Sequence, residues 1–231
     1  MIISILTLFP DMFDGPFGSS IIKRAITKKQ ITVRCINMRD FSTDAYKSVD
    51  HHPYGGGTGM ILRVDVVDRA IAAAKKSAKG KRAHIVLMDP QGTPYSQTKA
   101  HEFTKYDHLI LICGHYEGVD ERVRDLVSEE ISIGDYVLTG GEIPAMVIVD
   151  SVTRLLPNVL AKADATVHES FSENLLEYPQ YTRPEVYKNR SVPSVLLSGN
   201  HKVIADWRTE EAKKKTLLRR PDLLKEKKDS V

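Results

Sequence analysis

With 231 residues, 42% of them apolar and 27% charged, the chain has the composition of an ordinary globular protein and excludes a disordered or fibrous one. A formal net charge of +3 permits a polyanionic partner without requiring one, and no apolar run is long enough to span a bilayer. The stretch Met1 to Phe9 is apolar but lacks a basic flank and runs straight into Pro10-Asp11, which predicts a buried first strand rather than a signal peptide, and with it a cytoplasmic protein.

In chain order, Ile2 to Phe9 reads as a strand and Ser19 to Lys29 as a helix with Ile21, Ile22, Ala25 and Ile26 on one face. Ile31 to Met38 alternates like a strand. Val64 to Lys79 is helical, with Val66, Val67, Ala70, Ile71 and Ala74 apolar at helical spacing. Ala83 to Met88 is a short buried strand, Ser96 the N-cap of a helix to about Tyr106, and His108 to Cys113 a second buried strand. Ile131 to Leu138 carries a further strand, and Glu142 to Leu156 is apolar nearly all round, so it is a buried or interface helix. Strands separated by helices predict an α/β fold with a mostly parallel sheet. Pattern alone chooses an unknotted one.

After Pro157 the composition shifts. We divide the chain into an α/β domain, 1–157, a small and polar linker, 158–172, and a Pro-rich, basic, helical domain, 173–231, whose main helix runs from about Asn200 to Leu218 and is interrupted by Pro221. From Lys202 onward ten Lys/Arg stand against six Asp/Glu. A second basic cluster is Lys75, Lys76, Lys79, Lys81 and Arg82. Each is either a solvated helix face or a surface for phosphates. Cys35 and Cys113 sit in strand-like runs without ligand spacing and read as reduced, packed thiols; no metal site is predicted.

Three glycine-bearing loops lie at the ends of, or between, the later strands: Met88-Asp89-Pro90-Gln91-Gly92, Cys113-Gly114-His115-Tyr116-Glu117-Gly118, and Ser132 to Glu142 with Gly134, Gly140 and Gly141. Ligands of open α/β sheets bind beyond the carboxyl ends of strands, and glycine lets backbone N–H and C=O groups approach them closely. None of the loops is GxGxxG or a P-loop, so the expected ligand is nucleotide-like without needing phosphate. A fourth stretch, Pro53 to Met60, has glycine at 55, 56, 57 and 59, and is either a hairpin or a place where a ligand or an RNA backbone comes close. Asp50, His51 and His52 precede it. Arg154, ending the apolar helix, needs a job or a partner, such as Asp150 one turn earlier.

These loops carry a pattern. The chain resembles, over nearly its whole length, the bacterial tRNA (guanine-N1)-methyltransferases of the SPOUT superfamily. The resemblance rests on Leu8-Phe9-Pro10, Arg39-Asp40-Phe41, Pro53 to Met60, Pro90-Gln91-Gly92, Cys113 to Gly118, Ser132 to Pro144, Tyr181-Thr182-Arg183-Pro184 and Leu196 to His201. It implies a SPOUT-type sheet with a C-terminal trefoil knot, a small helical C-terminal domain that binds tRNA, and a homodimer with a shared active site. It implies S-adenosylmethionine as methyl donor and N1 of the guanosine just 3′ of the anticodon, position 37, as acceptor. The implied donor contacts are Met88, Pro90, Gln91, Gly92, Gly114, Tyr116, Glu117, Gly118, Ile133, Gly134, Asp135, Tyr136, Val137, Leu138, Gly140 and Gly141. The implied substrate contacts are Asp50, Gly55, Gly56, Gly57 and Gly59.

N1 of guanine is a poor nucleophile while it holds its proton, so a base must take that proton and a cation must steady charge on O6. Arg154 matches the family's catalytic arginine. The family has an aspartate before Ser-Phe in the linker; this chain has Glu169 there, before Ser170-Phe171, which makes Glu169 the first candidate base, with His168 second and Asp164 third. A need for Mg2+ is left open by the sequence. The alternatives are another SPOUT RNA methyltransferase, acting on an rRNA base or a ribose 2′-OH, and a non-catalytic RNA-binding dimer.

Overall fold

The computed structural model describes residues 1–78, 80–162, 166–167 and 169–224, which group into two compact units, Met1–Ala161 and Lys162–Val231. In chain order the elements are β1 (Ile2–Thr7), α1 (Asp14–Phe17), α2 (Ser20–Thr27), β2 (Thr32–Asn37), β3 (Asp50–His51), β4 (Ile61–Leu62), α3 (Val64–Ser77), β5 (Ala83–Pro94), α4 (Gln97–Phe103), β6 (His108–Cys113), β7 (Glu129–Ser132), α5 (Glu142–Thr153), β8 (Val186–Tyr187), β9 (Arg190–Ser191), α6 (Ser194–Leu197) and α7 (His201–Arg219).

Five strands form one sheet in the order β2-β1-β6-β5-β7, all parallel. Alternate residues feed opposite faces. Ile3, Ile5, Val86, Leu109 and Leu111 pack with Phe103 of α4 and with Ala145, Ile148, Val149 and Val152 of α5. Leu6, Ile85, Leu87, Ile110 and Ile112 pack with Val66, Val67, Ala70, Ile71 and Ala74 of α3. Helices on both faces bury β6 entirely, as the continuous apolar run Leu109–Cys113 requires.

Three expectations change. Strand β5 does not stop at Met88: after a register shift, Thr93 and Pro94 resume pairing with Ile131 and Ser132 of β7. Backbone pairing there needs no apolar alternation, so the pattern ends before the strand does. Strand β7 is confined to Glu129–Ser132, and the residues beyond Ser132 form a loop in which Gly134 sits at φ 151°. Cys35 is exposed on the edge strand β2, whereas Cys113 is buried. Of the basic cluster, Lys79 lies outside the described residues, while Lys75, Lys76, Lys81 and Arg82 are exposed.

Two caps fall where side-chain chemistry places them. Ser96 accepts a hydrogen bond from the Lys99 N–H at the start of α4, and Asn200 accepts one from the Val203 N–H at the start of α7. In the second unit, much of the α7 charge is paired locally: Lys213 with Glu210, Lys214 with Glu211, and Arg220 with Asp222. Lys215 donates to the Glu177 carbonyl.

One buried polar group makes stability depend on pH. His108 is fully buried, its Nε2 is 2.9 Å from the Ser4 hydroxyl, and burial, aided by nearby Arg34, holds its pKa below the ordinary 6.5. The unfolded chain therefore binds a proton below pH 6.5 that the folded chain refuses. This contribution to stability is complete above 6.5 and is lost as the pH falls towards the lower, folded value. We expect the urea midpoint to drop between about pH 7.5 and about pH 5.5, and to drop less in His108→Gln; equal drops in both proteins would place the titration elsewhere.

Candidate active site

The carboxyl ends of the adjacent strands β6, β5 and β7 open into one cleft of about 210 Å3. Its walls are the Met88–Gln91 stretch of β5, the loop Gly114–Val119 after β6, Ile131 and Ser132 at the end of β7, and the loop from there to Gly141 apart from Asp135. The three loops singled out in the sequence therefore meet at one place.

Short-range bonds set each loop. The Asp89 carboxylate accepts from the Gln91 N–H and pairs with Arg124, which also binds Glu121 and Glu130 and so ties the β5 turn to β7. The Ser132 hydroxyl brackets the next turn, donating to the Gly134 carbonyl and accepting from the Gly134 N–H. The Gly141 N–H donates to the Gly114 carbonyl at 2.8 Å, joining the second loop to the third.

Two glycines are sterically obligatory. A Cβ on Gly141 would stand 2.6 Å from the Cys113 Cα and 2.8 Å from the Gly114 nitrogen; one on Gly92 would stand 2.5 Å from the backbone of Glu130 and Ile131. These are backbone atoms and cannot swing aside. Gly141→Ala is expected to cost about 2–3 kcal/mol of stability and to abolish ligand binding in the cleft. Urea unfolding and a calorimetric titration with S-adenosylmethionine check this; a variant as stable and as tight as the wild type would contradict the packing.

The rim is apolar. Tyr116, Tyr136, Val137 and Leu138 are all exposed there, Val137 to 85%. Such walls suit the flat faces of a nucleoside, with backbone groups to read its edges. Beneath the cleft, Glu142 is buried at the first turn of α5 and accepts a hydrogen bond from the Thr7 hydroxyl. The His115 ring lies 5.0 Å from that of Phe9, tilted by 57°, and its Nδ1 is buried without a hydrogen-bond partner among the described residues. Also lining the cleft, though not among the expected donor contacts, are His115, Val119, Ile131, Ser132, Thr139 and Pro144. Of the expected donor contacts, Gly92 and Asp135 do not line the cleft: Gly92 packs against β7 instead, and Asp135 is exposed beside it.

The glycine stretch 53–60 forms the connection of the β3–β4 hairpin, and Asp50 pairs with Leu62 across it. The hairpin is anchored on the cleft loop. The Glu117 N–H donates to the Met60 carbonyl, the Leu62 N–H to the Gly118 carbonyl, and Gly59 packs on the Glu117 side chain. Gly55, Gly56 and Gly57 are exposed at positive φ.

Arg154 follows the last turn of α5, at the end opposite Glu142, and is half-buried. Twelve residues of helix place it about 18 Å along the axis from the glycine pair at the cleft. It shares a helix stripe with exposed Ile143, Val147 and Asp150. Glu169 belongs to the second unit, within hydrogen-bonded turns: its carbonyl accepts from the Ser172 N–H, and the Ser170 hydroxyl accepts from the Glu177 N–H. It lines a groove with Leu175, Leu176 and Arg208. The other candidate bases, His168 and Asp164, lie outside the described residues. Among the described residues, no cluster of three or more His, Cys, Asp or Glu side chains could hold a metal ion, and no helix is long and apolar enough to cross a membrane.

Comparison with known proteins adds the following. A family model described as tRNA (Guanine-1)-methyltransferase TrmD matches residues 1–226. Among curated relatives, proteins named tRNA (guanine-N(1)-)-methyltransferase from Bacillus cereus (strain AH820), Bacillus anthracis (strain CDC 684 / NRRL 3495) and Bacillus thuringiensis subsp. konkukian (strain 97-27) are each 53% identical over 228 residues, covering 98% of this chain and 93% of theirs.

Proposed function

The chain belongs to the tRNA (guanine-1)-methyltransferase family, whose members methylate N1 of guanine in tRNA, and from that premise we propose that it moves a methyl group from S-adenosylmethionine to the guanosine just 3′ of the anticodon, position 37. The observation that carries this reading is the convergence of three strand-end loops on one apolar-rimmed, glycine-floored cleft.

The residues present fit the donor. Tyr136, Val137 and Leu138 offer apolar surface for its adenine, and the backbone around Gly114, Gly140 and Gly141 comes close enough to hydrogen-bond its edges. When bound, the donor supplies a methyl group on a positively charged sulfur. The chain's own task is then to manage the acceptor. Glu169 takes the N1 proton, which leaves the ring nitrogen with a free electron pair, and Arg154 donates hydrogen bonds to O6 as negative charge gathers there.

The 18 Å of α5 between the cleft and Arg154 supports a shared active site. One protomer's Arg154 cannot serve its own cleft across that span. A two-fold dimer that covers Ile143 and Val147 brings in a second Arg154 along the same helix face. The tight backbone crossings at Gly92 and Gly141 support a knotted path for the segment between β6 and α5. The second unit supplies tRNA contacts through basic side chains such as Lys202 and Arg219, which position phosphates without choosing sequence.

The decisive experiment is methyl transfer to unmodified tRNA transcripts that differ only at position 37. Guanosine should be methylated at N1 and adenosine left alone. Methylation at a ribose, or of both transcripts equally, would overturn the assignment.

A further inference from the structure

The β3–β4 hairpin carries a side chain that neither the fold nor the donor cleft uses. Tyr54 is fully exposed, next to three glycines at φ 87°, 85° and 127°, and a Cβ on Gly55 or Gly56 would meet open space. The loop therefore leaves room on its outer side for a large flat partner. Its base is nonetheless fixed to the cleft through the Met60–Glu117 and Leu62–Gly118 backbone bonds, at 3.1 and 3.0 Å. Arg122 stands two residues beyond Asp120, whose N–H donates to the Leu62 carbonyl of the hairpin at 2.9 Å. Asp120 holds that guanidinium by Nε and Nη2, at 2.8 and 2.7 Å, which leaves Nη1 for another acceptor.

A solvent-facing aromatic ring on an anchored hairpin, with an oriented guanidinium on the adjoining turn, is an arrangement by which proteins hold unpaired nucleotides: the ring stacks on a base and the cation takes the phosphate. Resting on the tRNA reading above, we propose that Tyr54 is the stacking platform for an unpaired base of the anticodon loop, and that Arg122 grips the phosphate beside it. The rigid link to Glu117 and Gly118 then turns stacking into alignment of the target guanosine over the donor cleft.

The test measures binding of a full-length unmodified tRNA transcript, over a range of salt, together with steady-state methyl transfer. Tyr54→Ala should weaken tRNA binding and raise its KM by about tenfold to a hundredfold, and Tyr54→Phe should restore both to near wild type, because stacking needs the ring and not the hydroxyl. Affinity for S-adenosylmethionine should not change in either. The slope of log affinity against log salt should stay the same in Tyr54→Ala and fall by about one in Arg122→Ala. A Tyr54→Ala enzyme that binds tRNA like the wild type, or a Tyr54→Phe enzyme as weak as the alanine variant, overturns the stacking role while the methyltransferase reading stands. A wild type that does not bind tRNA overturns both.

Discussion

Arg154→Ala should lower the rate of methyl transfer by about a hundredfold to a thousandfold while leaving donor affinity within about twofold, because a preorganised cation beside a developing oxyanion is worth that much when lost. Arg154 stands at the far end of α5 from the cleft, so its removal leaves the glycine floor and the apolar rim untouched. A mixing experiment separates a shared site from a self-contained one. Arg154→Ala and Gly141→Ala are each inactive alone, for different reasons. If a dimer joins one protomer's cleft to its partner's arginine, a re-equilibrated mixture contains hybrid dimers with one intact site, and activity returns to roughly a quarter of wild type. No recovery would mean that each chain completes its own site, and the 18 Å span would then need closing by another route.

Glu169→Gln should cost about a hundredfold or more in single-turnover methyl transfer, with tRNA and donor binding retained, since glutamine keeps the shape and polarity of the side chain but cannot accept the N1 proton. Glu169→Asp should recover part of the loss. A glutamine enzyme at full speed would pass the role to another group, His168 first.

The fate of particular residues shows what could be read without a structure. The apolar run Leu109–Cys113 predicted β6 at His108–Cys113, the very span observed, because a strand covered on both faces is apolar at nearly every position. Helical spacing at Val66, Val67, Ala70, Ile71 and Ala74 predicted the buried face of α3 for the corresponding reason. The three glycine loops were legible as one ligand region since each follows or adjoins a strand. The chemistry expected there came from the resemblance of those loops to a family, and not from periodicity.

Other features had no local signature. The extension of β5 to Pro94 depends on backbone pairing with β7, to which side-chain pattern is blind. His115 lines the cleft with its ring against Phe9, a residue more than a hundred positions earlier in the chain. Asp135 and Gly92 belong to the right loops but do not line the cleft, Gly92 because it is pressed against the backbone of Glu130 and Ile131. Sequence by itself determined the main helices and central strands of the first unit, their buried faces and the loops that carry chemistry, because hydrophobic period and turn preference act over a few residues. Sheet order and the docking of the glycine hairpin on Glu117 were settled only in three dimensions, because each depends on contacts between segments far apart in the chain.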